Sequence, residues 1–327
     1  MKLNHFFIST LILLLLGFSL VSANRGSMVL NPYAHLEESG QHAIVAWNGT
    51  EEILILSTDM KSSQSTLVLE VIPLPSNPVK VEEGSAESFE TLAEIINKKI
   101  REIQKGLARG EPVEVTFHAQ IGAHDVTVVR VNDVVYFIEW VNDFSRKMGV
   151  EPLKLPSDFK KTVSHYVDKD IKYFVFDVID TKESTQTVNP LMYKFKSSYL
   201  YYPLEITATS DVGWSSSRVS IFLITGGIVD EAVLRDIGLY PKIGFGKYII
   251  ELTEDELEAV NPELKDFFEW DAFVMNVYYS GPLHVLTKDL VVYQRDISVP
   301  IDHTNFVIVS GIIFLFLVAI VYRKSRK

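Results

Sequence analysis

An apolar stretch stands at each end of the chain, and the pair constrains it more than anything between them. Residues Phe6 to Val21 (FFISTLILLLLGFSLV) follow a lone Lys2 and lead into Val21-Ser22-Ala23. A charged start, a greasy middle and a small-x-small site make a secretory signal, with cleavage expected after Ala23. An uncleaved signal anchor is the alternative, and it leaves the same middle segment outside. Residues Phe306 to Tyr322 (FVIVSGIIFLFLVAIVY) carry no charge and run into Arg323-Lys324-Ser325-Arg326-Lys327. A helix of that length just spans a bilayer, and its basic flank belongs on the cytoplasmic side. The expectation is a single-pass protein of the cell membrane. Its parts are a signal peptide (1–23), an extracytoplasmic segment (24–305), a transmembrane helix (306–322) and a cytoplasmic tail (323–327).

Charge narrows the partners. The chain has 42 acidic against 31 basic side chains, a net charge of −11. Lys2 and the four basic tail residues flank the apolar stretches, so the segment between them is more acidic still. Such a surface repels nucleic acid and anionic lipid heads, and no nucleic-acid partner is expected. There is no cysteine. The core must hold by packing alone, and thiolate metal sites, iron–sulfur clusters and cysteine nucleophiles are excluded.

Between the ends, periodicity outlines α+β architecture: mostly antiparallel sheet with a few packed helices. Ala43 to Trp47 and Glu52 to Leu56 are β-rich and joined across Asn48-Gly49, the pair that a type I′ hairpin turn favours. Further strands are expected at 66–72, 113–118, 125–131, 172–179, 191–196, 203–208, 219–225, 248–252 and 272–279. A helix over 88–107 places Phe89, Leu92, Ile96, Ile100, Ile103 and Leu107 on one face. That stripe suits packing on the protein's own sheet better than a partner. Helices are also expected over 135–148 and 157–167. Thr253 with Glu256 forms a capping box that opens another, which Pro262 interrupts before a further short helix through Phe268. The polar run 180–190 is either a long hairpin loop or a boundary between two lobes.

Several runs then carry a family likeness. They are Gln41 to Thr58 (QHAIVAWNGTEEILILST), Val71-Ile72-Pro73-Leu74-Pro75, Ile121 to Val128 (IGAHDVTV), Ile171 to Val175, Asn189-Pro190-Leu191 and Tyr202 to Thr207. In that order they resemble an uncharacterised prokaryotic family of exported, often membrane-anchored proteins, domain of unknown function 2330. The likeness spans roughly residues 41–209. Many bacterial members have cysteines near the mature N-terminus, and this chain departs from them there. The resemblance implies export and anchoring, and it supplies no substrate, cofactor or catalytic residue.

Motifs for chemistry are sparse. Outside the signal the histidines are His35, His42, His118, His124, His165, His284 and His303, with no pair four apart on a helix. His118, His124 and Asp125 come nearest to a two-His-one-carboxylate set, but three such ligands within eight residues are common by chance. No metal and no cofactor are expected. Gly213-Trp214-Ser215-Ser216-Ser217 lacks the second glycine of a nucleophile elbow, and Gly244-Phe245-Gly246 lacks the third glycine of a dinucleotide loop. No catalytic residue is assigned. Asn48-Gly49-Thr50 is the one Asn-x-Ser/Thr sequon, so Asn48 is the glycosylation candidate. Tyr199, Tyr201, Tyr202 and Trp214 suit a carbohydrate- or peptide-binding surface, although alternating strand aromatics also fill cores.

These observations favour a membrane-anchored extracytoplasmic binding or interaction module without intrinsic catalysis, with a protein or surface polymer as its partner outside the cell. One alternative is an extracytoplasmic hydrolase whose site assembles only in the fold. Another is a structural component of a surface assembly, docked through the long amphipathic helix.

Overall fold

Strand alternation places two different apolar faces on each half of the chain, and the layers follow from that. The structure is a computed structural model and describes residues 27–29, 33–107, 124–131, 133–147, 155, 157–181, 186–187, 189–209, 217–242 and 249–300. Strands β1 (Met28–Val29), β2 (Leu36–Trp47), β3 (Glu51–Ser62), β4 (Thr66–Leu74) and β5 (Lys80–Glu83) precede helix α1 (Ala86–Leu107). Then come β6 (His124–Arg130), α2 (Val134–Lys147), α3 (Ser157–Asp168), β7 (Tyr173–Thr181), β8 (Gln186–Thr187), β9 (Leu191–Lys196) and β10 (Leu200–Tyr202). The last part holds β11 (Ser217–Thr225), β12 (Ile228–Val229), α4 (Glu231–Asp236), β13 (Tyr240–Pro241) and β14 (Ile250–Leu252). It continues through α5 (Glu254–Val260), β15 (Ala272–Gly281), β16 (Leu290–Val292) and β17 (Ile297–Ser298).

Among the described residues, nine strands form one large sheet in the order β13-β15-β11-β2-β3-β9-β5, with β14 on β15 and β8 on β3. Four more pair as β1-β4-β7-β6. Pairing is antiparallel except between β11 and β2, which run parallel from Arg218↔Gly40 to Thr225↔Trp47. Sheet dominates and helices are few, a mixed α+β fold.

Each strand of the large sheet divides its side chains between two cores. Ile44, Ile53 and Ile55 meet Phe89, Leu92 and Ile96 of α1 and Leu257 of α5. Ala43, Val45, Leu54 and Leu56 face the other way, toward Ile72 and Leu74 of β4. From the same β4, Leu69 and Val71 point into a further core with Phe137, Phe159 and Val163 of α2 and α3. The layers are therefore helix, large sheet, small sheet and helix. A two-stranded ribbon of β10 and β16 is wedged between the last two cores, with Leu200 and Tyr202 in one and Tyr201 in the other.

The first half of the α1 stripe packs on the protein's own sheet, where Phe89, Leu92 and Ile96 are buried, while Ile100 and Ile103 are half-buried. The capping box forms as read: Thr253 Oγ1 accepts from the Glu256 amide at 3.3 Å and Glu256 Oε2 from the Thr253 amide at 2.8 Å.

Three expectations need correction. The hairpin turn is displaced by one residue: Asn48 and Glu51 face each other, with the Asn48 N–H donating to the Glu51 carbonyl at 3.2 Å. Of the pair Gly49-Thr50 between them only Gly49 has positive φ, at 100°, so this is not a type I′ turn, which needs positive φ at both central residues. Residues 203–208 are a turn leading to a 3-10 helix (Thr207–Thr209), and the strand lies earlier, at β10. The amides of Leu204 and Glu205 donate to the Asp289 carboxylate at 3.0 and 2.8 Å, so no neighbouring strand receives them. After Pro262 there is a 3-10 turn (Pro262–Leu264), and the chain is not helical through Phe268.

Among the described residues no helix is long and apolar enough to cross a membrane. The expected signal (1–23), transmembrane helix (306–322) and tail (323–327) lie outside the described residues, as does the expected strand at 113–118. So do 182–185 and 188 of the proposed boundary.

Candidate functional site

The end of the large sheet at the β2–β3 turn opens into a groove of about 790 Å³. Its floor comes from Trp47 and from the paired strands β14 and β15, where Leu252 lies opposite Ala272. One wall is the start of α5, fixed by the capping box. The other is the connection from the 3-10 turn to β15, carrying Asp266, Phe268, Glu269, Trp270 and Asp271. Asn48, Gln294 and Val299 close the rim.

Local chemistry explains why these walls stand where they do. The Lys99 ammonium of α1 donates to the Glu251 carbonyl at 2.7 Å and pairs with Glu256 at 2.7 Å, tying α1 to both β14 and α5. Burial pushes the Glu256 carboxyl up, but Lys99 and the Thr253 amide outweigh it and hold it below the usual range. On the far wall, Asn261 Oδ1 accepts from the Glu263 amide at 2.9 Å and caps the 3-10 turn. Glu263 then pairs with Lys80 at 2.8 Å, joining that turn to the sheet edge at β5. Asp266 follows with φ of 54°, a left-handed conformation that aspartate tolerates better than most residues.

Five carboxylates line the groove: Glu251, Glu254, Asp266, Glu269 and Asp271. All five residues are exposed, and no lysine or arginine is among the lining. Lys265, next to Asp266 in sequence, is held by Glu258 at 2.8 Å. A hydrogen bond with Asp266 raises the Glu254 carboxyl above its ordinary value, because two like charges in contact favour sharing a proton. Trp270 stands between Glu269 and Asp271 and is 81% exposed.

Asn48 is on the rim. Its Oδ1 accepts from the Thr50 amide, the Thr50 hydroxyl and the Glu51 amide at 3.0, 3.1 and 2.9 Å, and its Nδ2 donates to the Phe267 carbonyl at 2.9 Å. The nitrogen to which a glycan attaches is thus engaged within the fold. Tyr201 and Tyr202 are 0% and 1% exposed, which removes them from any binding surface. Tyr199 is half-buried against Tyr201 and Tyr293, and Trp214 lies outside the described residues.

The buried tyrosines belong to a polar network centred on Asp289. Its Oδ1 accepts from the Tyr166 hydroxyl at 2.7 Å as well as the two turn amides, and its Oδ2 accepts from the Tyr201 hydroxyl at 3.3 Å. Tyr166 in turn accepts from the Ile206 amide at 2.9 Å. Glu205 receives His165 Nδ1 and the Lys169 ammonium, each at 3.0 Å. Burial pushes the Asp289 carboxyl up to about 6, and it pushes both tyrosines well above their ordinary range. This network joins α3, β10 and the residue that leads into β16, and none of its members lines the groove beside Trp270.

Elsewhere, Glu52 is fully buried on the large sheet, with Oε2 accepting from the Tyr201 amide at 2.6 Å, and burial raises its carboxyl well above the usual range. Gly213 to Ser216 and Gly244 to Gly246 lie outside the described residues, while Ser217 begins β11 and is buried. His118 is also outside, and His124 opens β6. Among the described residues no group of three or more metal-binding side chains is placed to hold an ion.

The family described as "uncharacterized protein conserved in bacteria (DUF2330)" matches residues 20–279, and the chain belongs to that family. No curated protein matches it. Solved structures similar to the chain include the crystal structure of baculovirus P35, at 12% identity and a TM-score of 0.42, covering 79% of this chain and 97% of that one. A mutated baculovirus P35 after caspase cleavage matches at 11% and 0.39, covering 78% and 99%. P35 in the caspase-8/P35 complex matches at 11% and 0.38, covering 78% and 96%. At these TM-scores the likeness carries no argument about this chain.

Proposed function

We propose that this member of the family is a membrane-anchored extracytoplasmic binding module that takes its ligand in the groove beside Trp270. The observation that carries the reading is an open groove of about 790 Å³ presenting a tryptophan that is 81% exposed. Sites that bind ligands are concave and apolar in part, with a few polar groups that fix orientation. Apolar Leu252, Leu257 and Phe268 alternate here with carboxylates, which fits that description. Anchoring rests on the apolar stretch Phe306 to Tyr322 and its basic flank, and export on Phe6 to Val21.

Two measurements test it. Protease added to intact cells removes the ectodomain and spares a tag placed after Lys327; a protected ectodomain reverses the orientation. Envelope components captured by the full-length protein are lost on Trp270→Ala; capture unchanged by groove substitutions removes the groove from the reading.

The hydrolase reading draws on the Glu254–Asp266 carboxyl pair, since two carboxyls sharing a proton can serve as acid and base. Binding stands first because both residues are exposed, where water screens the pair. Turnover of glycoside or peptide probes that vanishes on Glu254→Gln would reverse the order. The docking-helix reading loses its surface where Phe89, Leu92 and Ile96 are buried.

A further inference from the structure

We infer that ordered water molecules are bound between the two sheets, in a buried polar layer formed by Gln41, Thr58 and Ser217. The pattern of each strand sets the layer's position. On β3, Leu56 belongs to the core between the sheets and Met60 to a smaller apolar cluster with Leu36 and Val68. Thr58 stands between them on the same face. β4 repeats the pattern, with Ile72 in the first core, Val68 in the smaller cluster and Glu70 between them. A polar layer to which both sheets contribute therefore separates two apolar clusters. Gln41 of β2 is the register partner of Thr58 on one side and of Val219 on the other. Ser217, two residues before Val219 on β11, shares that residue's face.

Bulk solvent does not reach these side chains: Gln41, Thr58 and Ser217 are 0%, 2% and 1% exposed. The Tyr202 hydroxyl donates to Gln41 Oε1 at 3.3 Å, and the Ser27 hydroxyl reaches Glu70 Oε1 at 3.5 Å. Among the described residues, Gln41 Nε2, Thr58 Oγ1 and Ser217 Oγ have no hydrogen-bond partner in the protein. A buried polar group left unpaired costs stability outright, and folded proteins rarely leave one so. Three of them on adjacent strands of one face point to a shared ligand.

Chemistry identifies that ligand. Gln41 Nε2 can only donate, whereas the two hydroxyls both donate and accept. A small molecule that does both through one atom meets all three groups. Water fits, since a buried water makes about three hydrogen bonds to groups that would otherwise be unpaired. An anion would enter a layer that already holds the Glu70 carboxyl group, and a metal cation would face the Gln41 N–H groups. The water is part of the fold, independent of what enters the groove.

The test combines oxygen-17 magnetic relaxation dispersion of water, which detects molecules held longer than the protein takes to tumble, with urea unfolding of the full-length protein. Thr58→Val keeps the shape of the side chain and removes its hydroxyl, and Ser217→Ala removes the second hydroxyl. Each variant is expected to lower the relaxation amplitude and to raise the unfolding equilibrium constant about fivefold. Thr58→Ser keeps the hydroxyl and loses the methyl group, so its amplitude should match that of the natural protein. That comparison separates loss of water from loss of packing. In a dry layer the signs reverse: removing an unpaired buried hydroxyl stabilises, the unfolding constant falls and the amplitude stays. An amplitude unchanged in both Thr58→Val and Ser217→Ala overturns the inference, whatever the stability does. A loss in Thr58→Val that is equally present in Thr58→Ser also overturns it, because the hydroxyl then holds no water.

Discussion

Asn48 donates its side-chain amide to the Phe267 carbonyl at 2.9 Å across 219 residues of sequence, fastening the β2–β3 turn to the wall of the groove. The same side chain organises the turn itself by accepting the Thr50 and Glu51 amides. One residue therefore sets both the hairpin tip and the edge of the candidate site.

Asn48→Asp tests that double role. The carboxylate still accepts from the turn amides but sets an oxygen against the Phe267 carbonyl, replacing a hydrogen bond by repulsion. The expected cost is about 1–3 kcal/mol in urea unfolding. Thr50→Ala destroys the same Asn-x-Ser/Thr sequon and removes only the Thr50 hydroxyl bond, so it should cost less than about 1 kcal/mol. Equal costs for the two variants would remove Phe267 from the account.

Gly49 is the residue that lets the strand reverse. A Cβ added there meets only Gln294 Oε1, at 3.9 Å, so space is no obstacle to a side chain. The obstacle is φ of 100°, which L side chains rarely adopt. Gly49→Val should lower stability by about 1–2 kcal/mol through backbone strain alone. An unshifted melting temperature would show that the turn relaxes to another type.

Asp289 predicts a pH dependence of definite sign. Burial raises its carboxyl to about 6 in the folded protein from an ordinary 3.8, so the native state holds this proton more tightly than the unfolded chain. Its stabilising contribution is full below about 3.8 and is lost as pH rises through about 6. Asp289→Asn keeps an acceptor for Tyr166 and the two turn amides, and it does not titrate. The stability of the natural protein minus that of Asp289→Asn should fall by about 2 kcal/mol between pH 4 and pH 7. A difference that stays flat over that interval would mean the carboxylate ionises inside the fold at no cost.

Local rules made much of the fold legible. The capping box needs only Thr253 and Glu256, three residues apart, and it forms as read. The continuous apolar runs of β2 and β3 and the three-and-four spacing of Phe89, Leu92 and Ile96 mark side chains that belong inside, and those side chains are buried. Export and anchoring are likewise read from short apolar runs, as expectations about segments beyond the described residues.

Where partners lie far apart in the chain, sequence patterns were silent or misleading. Residues 203–208 look like a strand, but a carboxylate 84 and 85 residues away takes the Glu205 and Leu204 amides and bends the backbone. Tyr201 and Tyr202 look like a binding surface, but the β10–β16 ribbon is sandwiched between two cores and buries both. Glu251, Glu254, Asp266, Glu269 and Asp271 read as ordinary solvated charge, and only the packing of β14, α5 and β15 brings Glu251 and Glu254 into one groove with Asp266, Glu269 and Asp271. The amino-acid sequence by itself determined which segments pair locally and which faces are apolar, because hydrogen-bond caps and periodicity act over a few residues. Tertiary structure alone decided which carboxylates meet, because their convergence depends on contacts between elements that no local pattern records.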